Sequence, residues 1–174
     1  IHPDYTGATY EAICRAIKLV VPKMHIHAFS ALEVTQGAAT LGLSIDEFLA
    51  KLKEAGLGTL PGTAAEILDD DVRAIICPDK IDTGQWLDVQ RAAHRVGLRT
   101  TSTIMYGHVE TSNSWAKHLP ALRDLQPETD GFTMFVPLPF VHMESPLPRL
   151  GMTPRGPSVP EAPFMHSDSW PLQY

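Results

Sequence analysis

The 174-residue chain carries 14 Lys and Arg against 20 Asp and Glu, a formal net charge of −6, with 44 % hydrophobic and 20 % charged residues. That balance suits a globular protein with a sizeable core. It offers no apolar run near the roughly 20 residues of a membrane span, and acidity without a basic stripe argues against a nucleic-acid partner. Two cysteines, Cys14 and Cys77, make neither a disulfide framework nor a CxxC site, so a reducing cytoplasmic setting is expected. The chain starts at Ile1, without an initiator Met or a signal-like segment, and Pro146, Pro148, Pro154, Pro157, Pro160, Pro163 and Pro171 crowd its end. It reads as a folded body over 1–146, cut from something longer, followed by a Pro-rich tail over 147–174 that is disordered or foreign to the body.

Tyr10, Ile13, Ile17 and Val20 recur at helical spacing, and Pro22 stops that first helix. In Met24–Phe29, Met24, Ile26 and Ala28 alternate with His25 and His27, the period of a strand. Ser44 and Glu47 form a capping box with Leu43 and Phe48 as its hydrophobic staple, and Gly56 ends the helix. Leu57–Leu60 is a short second strand broken by Pro61-Gly62. A helix follows from about Thr83 to Val96, turning Trp86, Val89, Ala93 and Val96 inward. Thr100–Tyr106, rich in β-branched residues, is the third strand. Trp115, Leu119 and Leu122 mark another helix, which Pro120 should kink or shorten. Phe132–Val136 is the fourth strand, closed by Pro137 and Pro139. Strands separated by helices predict an α/β fold with a parallel sheet and right-handed crossovers, part of a barrel or of a doubly wound sheet.

In such folds ligands gather at the C-terminal ends of the strands. There the sequence places His25, His27, Ser30 and Glu33 after the first strand and Thr63, Glu66 and Arg73 after the second. Tyr106, His108 and Glu110 follow the third strand and His142 the fourth. Imidazoles, carboxylates and one Arg at a single rim suit a polar small-molecule pocket. Each also has a plain structural use: Asp69-Asp70-Asp71 fits a helix N-terminus, Glu110 can lead into a helix, and Cys14 and Cys77 fit inert thiols. His25-x-His27 has the spacing of a metal pair in barrel hydrolases and needs further ligands, for which His108, His142 or Glu66 are available.

His25–Ser30, Pro61–Leu68, Ser102–Glu110 and Gly131–Thr133 together resemble a branch of the radical S-adenosylmethionine (SAM) enzymes. That branch holds the synthases of the deazaflavin FO, precursor of coenzyme F-420, and the menaquinone enzymes of the futalosine route. Thr63-Ala64-Ala65 and Pro137–His142 with Ser145-Pro146-Leu147 are more similar to the deazaflavin side, and to its tyrosine-handling half.

The resemblance implies a partial, TIM-like (βα) barrel truncated at its N-terminus, serving a [4Fe-4S] cluster and SAM. Its implied task is to join a 4-hydroxybenzyl-type fragment of L-tyrosine to 5-amino-6-(D-ribitylamino)uracil. An electron donor and a fused or separate second synthase half are the implied partners. Glu66 is implied for the SAM ribose or amino group and Arg73 for its carboxylate, with main-chain groups along Ile104–Gly107, Tyr106 among them, reading the adenine. His25, His27, Glu33, Thr63, His108, Glu110 and His142 remain for the substrates. The family's CxxxCxxC motif is absent, so the cluster cysteines are expected upstream of Ile1 and the chain alone is expected to be inactive. Asp130 and Met134 also depart from the family pattern. A futalosine-route enzyme, a metal-dependent hydrolase using His25 and His27, and a non-catalytic fragment are the alternatives.

Overall fold

The structure, a computed structural model, describes residues 1–144, 149, 151, 156, 157 and 165. Helices α1 (Gly7–Val20), α2 (Ala31–Leu41) and α3 (Ile45–Glu54) lead into strand β1 (Thr59–Leu60). Then come α4 (Asp70–Ile76), α5 (Thr83–Arg95), β2 (Arg99–Tyr106), α6 (Ser112–Thr129), β3 (Phe132–Pro139) and a 3₁₀ turn, His142–Glu144. The sheet is parallel in the order β1-β2-β3. An isolated parallel bridge, His27 to Thr59, is what forms of the expected first strand. The α/β class and the parallel pairing agree with the sequence reading, and the three strands are compatible with part of a barrel.

Three further elements differ from expectation. Helix α2 is additional to the expected elements: Ser30 and Glu33, read above as site residues, form its capping box. Glu33 Oε2 accepts from the Ser30 amide at 2.7 Å and its hydroxyl at 2.8 Å. Helix α6 runs unbroken through Pro120 and Pro127. Buried His118, Leu122 and Leu125 pack it on both sides of Pro120, and that packing outweighs one lost backbone bond. Strand β3 continues through Pro137 to Pro139. The Phe140 amide donates to Tyr106 O at 2.8 Å, so alternate amides face β2 while positions 137 and 139 face the open edge. Proline has no amide hydrogen to lose there, which is where a strand tolerates it.

The main core lies between the sheet and the helices, around Phe48, Leu49, Leu52, Leu60, Trp86 and Phe132. A second cluster, Ile67, Val72, Ile104, Tyr106 and Met165, sits near the C-terminal end of β2. Apart from Arg149, Gly151, Gly156, Pro157 and Met165, the Pro-rich stretch 147–174 lies outside the described residues.

The chain leaving β1 crosses close over β2. The Gly62 amide donates to Thr101 Oγ1 at 2.9 Å, and Thr103 Oγ1 donates to Gly62 O at 2.6 Å. A Cβ on Gly62 would lie 2.5 Å from Ser102 Cα and 2.6 Å from Thr101 O, both backbone. Gly62→Ala is therefore expected to destabilise the fold by about 1–3 kcal/mol, read as a lower urea midpoint. An unchanged midpoint would contradict this close approach.

Candidate functional site

The loop 61–68, at the C-terminal end of β1, has an unusual backbone. Ala64 (φ 64°) and Glu66 (φ 47°) both adopt left-handed conformations without being glycine. Each costs on the order of 1 kcal/mol and persists only where the surroundings hold it. The holding groups come from several elements. The Met105 amide of β2 donates to Glu66 O at 2.6 Å. His118 of α6, wholly buried, accepts the Leu68 amide at Nδ1, 2.9 Å away. From α4, buried Arg73 donates to the carbonyls of Ala64, Ala65 and Ile67, and also to Ile81 O beyond the helix.

Arg73 thus holds the carbonyls on either side of Glu66 and the one just after Lys80. The turn Cys77-Pro78-Asp79-Lys80 is closed by the Lys80 amide donating to Cys77 O at 3.0 Å, with Pro78 at the position that favours proline. The result is an ion pair, Lys80 Nζ to Glu66 Oε1 at 2.6 Å, its side chains 31 % and 22 % exposed. Both groups are reachable from solvent, and both backbones are fixed.

Beside this pair the end of β2 is tightly built. Left-handed Gly107 (φ 88°) turns the chain so that Glu110 accepts consecutive amides, Gly107 at 2.5 Å and His108 at 2.8 Å, together with Trp115 Nε1 at 3.3 Å. His108 is enclosed. Its Nε2 donates to Met105 O at 3.0 Å, and Nδ1 lies 3.1 Å from Glu110 Oε2. Burial pushes the imidazole below its ordinary pKa and outweighs the pull of Glu110.

No protein-family model matches the chain. The FO synthase of Mycobacterium tuberculosis is 50 % identical over 167 residues, 96 % of this chain and 20 % of that protein. The 5-amino-6-(D-ribitylamino)uracil–L-tyrosine 4-hydroxyphenyl transferase of Methanothermobacter thermautotrophicus is 50 % identical over 156 residues, 90 % of this chain and 42 % of that protein. The chain is homologous to part of the FO synthases. It also matches the Streptomyces coelicolor FO synthase at 50 % over 159 residues, 18 % of that protein. It therefore spans about a fifth of the FO synthases and about two fifths of the separate transferase.

Against this FO synthase homology, the residues singled out in the sequence divide into groups. Glu66 sits at the strand ends with a partly exposed carboxylate. Thr63 is exposed beside it, its carbonyl accepting from Trp86 Nε1 at 3.3 Å. His108 and Glu110 are present but turned inward. Arg73 is built into the loop, its NH1 and NH2 engaged by carbonyls and its Nε 3.9 Å from Asp70 Oδ1. It is not presented to a ligand carboxylate as expected. Ile104 and Tyr106 put their side chains in the second core cluster. Their backbone is paired with β3 along Pro137–Pro139, which leaves little main chain there to read a base. Glu33 is a helix cap, as described above.

His25 and His27 are exposed and converge on one hydroxyl, His25 Nε2 at 2.8 Å and His27 Nδ1 at 2.7 Å from Thr59 Oγ1. Among the described residues no group of three or more His, Cys, Asp and Glu is placed to hold a metal ion. His142 is half-buried in the 3₁₀ turn. Among the described residues no helix is long and apolar enough to cross a membrane.

Lys80 was not singled out by the sequence reading. The only sequence signal for it is its place after Cys77-Pro78-Asp79, a turn that returns the chain toward the strand ends.

Proposed function

We propose that this chain contributes the C-terminal strands of a radical SAM barrel. The enzyme it serves would join the 4-hydroxybenzyl-type fragment of L-tyrosine to 5-amino-6-(D-ribitylamino)uracil on the way to FO and coenzyme F-420. The observation that carries this reading is the 50 % identity over 156 residues to the transferase named for those two substrates. The parallel sheet and the fixed polar groups at its strand ends support it.

An iron–sulfur cluster needs three thiolates at this kind of site. The chain has two cysteines, Cys14 and Cys77, both buried, and they do not fit a cluster, so no step through it is assigned to these residues. SAM fits better, because Glu66 offers a fixed, reachable carboxylate at the strand ends. When bound, and given one electron from the cluster, SAM would supply the radical chemistry that activates an unreactive substrate bond. Glu66 would accept hydrogen bonds from the ribose hydroxyls or the methionyl ammonium. His25, His27, Thr63 and His142 would orient the substrates. His108 and Glu110 would hold the β2 end rigid, Glu110 through the amides it accepts. By itself the chain would be inactive.

A chimera tests the reading: this chain replaces the matching segment of the Methanothermobacter thermautotrophicus transferase. Under anaerobic reconstitution with SAM, it is expected to couple L-tyrosine with 5-amino-6-(D-ribitylamino)uracil, with product identity read by mass. A folded chimera that instead transforms a futalosine-route precursor, or neither substrate, would contradict it.

A further inference from the structure

We infer that the flank made by α1 and Met24–Phe29 is an association surface. It takes up a parallel strand, and the apolar helix beside that strand, from the remainder of the enzyme, and holds them without need of a covalent link. The source of that unit rests on the reading just given; the contact itself does not.

Met24, Ile26 and Ala28 alternate with His25 and His27 as in a strand, yet a single bridge is all that forms. Toward β1, Ile26 O accepts the Gly58 and Thr59 amides at 2.9 and 3.2 Å, and the Ala28 amide donates to Thr59 O at 3.2 Å. In a parallel bridge these bonds belong to the residues flanking His27, so the N–H and C=O of His25 and His27 point the other way. Among the described residues nothing bonds to them there. An extended segment with one edge open is a template for another strand. The opposite edge of the sheet is barred, because Pro137 and Pro139 face outward from β3 with no amide to give.

Helix α1 borders the open edge, its Lys18 Nζ donating to Met24 O at 2.6 Å. It buries Gly7, Tyr10 and Cys14. Its acidic residue lies on the side toward α3, where Glu11 pairs with Arg15 at 2.7 Å and lies 3.7 Å from Lys51 Nζ. Away from α3, Ile13, Ala16, Leu19 and Val20 are apolar and exposed, Leu19 by 83 % and Val20 by 78 %. Spacings of three and four residues put them on one stripe. The small side chain of Ala16 lets a second helix come close to it.

The chain matches 42 % of the separate transferase, so more than half of that protein meets the matched part across some face. One strand on the open edge, with its helix on the stripe, fills both parts of this flank. A second copy of the chain suits it less well. Two copies related by a two-fold axis would pair Met24–Phe29 antiparallel, against the parallel pairing of the rest of the sheet.

The test compares the chain alone with the chimera described above, into which a protease site is placed just before Ile1. Amide exchange at His25 and His27 is expected to be fast in the isolated chain and at least about tenfold slower in the uncut chimera. After cleavage of the folded chimera, its two parts should still migrate through gel filtration as one 1:1 complex. Val20→Lys should weaken that complex at least about tenfold, so that the parts separate on dilution. Ile75→Lys, at an exposed apolar residue of α4, should leave them together. By sedimentation the isolated chain should be a monomer.

A chimera that fails to fold, His25 and His27 amides that exchange as fast in it as in the isolated chain, or cut parts that separate unaltered would each overturn the association surface. So would a complex indifferent to Val20→Lys, or an isolated chain that dimerises until Val20→Lys dissolves the dimer, which would give the flank to a second copy. A chimera with protected His25 and His27 that forms no product would overturn the proposed function and leave the contact standing. An active chimera with both amides unprotected would do the reverse.

Discussion

Replacing Arg73 with methionine is expected to remove about 3–5 kcal/mol of folding stability, among the larger effects a single substitution can have. Methionine fills much of the volume but donates nothing. The carbonyls of Ala64, Ala65, Ile67 and Ile81 would lose their shared partner, and each unpaired buried acceptor costs about 1–3 kcal/mol before relaxation. Loop 61–68 should relax first, because these bonds hold the carbonyls on either side of left-handed Glu66. Urea denaturation gives the stability, and amide exchange at 63–68 should accelerate beyond the global change. Arg73→Lys should recover little, since a compact ammonium cannot span four carbonyls as the planar fork does. A midpoint within error of the unaltered chain would contradict the keystone role.

The second large effect is on pH dependence. His118 is wholly enclosed, and burial lowers its pKa from 6.5 to about 3. Its Nδ1 accepts from Leu68, so the proton sits on Nε2 and the neutral ring is the folded form. A lowered folded pKa means that the unfolded chain binds the extra proton first. The stabilisation is complete above pH 6.5, declines as pH falls, and is gone near pH 3; its full size is about 5 kcal/mol at most. His94 acts in the same direction over a shorter range, its pKa lowered to about 4 chiefly by burial and then by Arg99. It is clasped by Thr129 Oγ1 at 2.6 Å and Thr100 Oγ1 at 2.9 Å. Denaturant stability measured from pH 7 to pH 4 should fall steeply. In His118→Gln it should start lower and fall more gently; parallel slopes would contradict this account of His118.

The parts of the fold that were legible in the sequence are those written in local chemistry. Ser44 and Glu47 announce α3 because a capping box needs only neighbouring residues, and the stretch Thr100–Tyr106, rich in β-branched residues, announces β2. Helix α2 carries the same signal in Ser30 and Glu33. Its body, ALEVTQGAATL, mixes good helix formers with Val34, Thr35, Gly37 and Thr40, and Gly37 is needed because the Phe48 ring lies where a side chain would go. Packing decides that helix, and packing is not local. Pro120 misleads for a related reason: its cost is local, while the contacts of His118, Leu122 and Leu125 that outweigh it come from elsewhere in the fold.

The site divides in the same way. Glu66 was legible from its motif and its place after a strand. Arg73 was legible as a cation but not as a structural one, because the carbonyls it holds come from loop 61–68 and from Ile81, and only folding brings them together. Lys80 carries no motif of its own, and its partnership with Glu66 depends on a turn and on Arg73.

The most direct measurement is product formation by the chimera described above with and without Glu66→Gln, recorded alongside its iron–sulfur absorption. The variant is expected to keep the absorption unchanged while coupling of L-tyrosine to 5-amino-6-(D-ribitylamino)uracil falls by at least about tenfold, the loss of one charge-assisted contact. Coupling at the unaltered rate in that variant would remove Glu66, and the strand-end loop built to present it, from the active site.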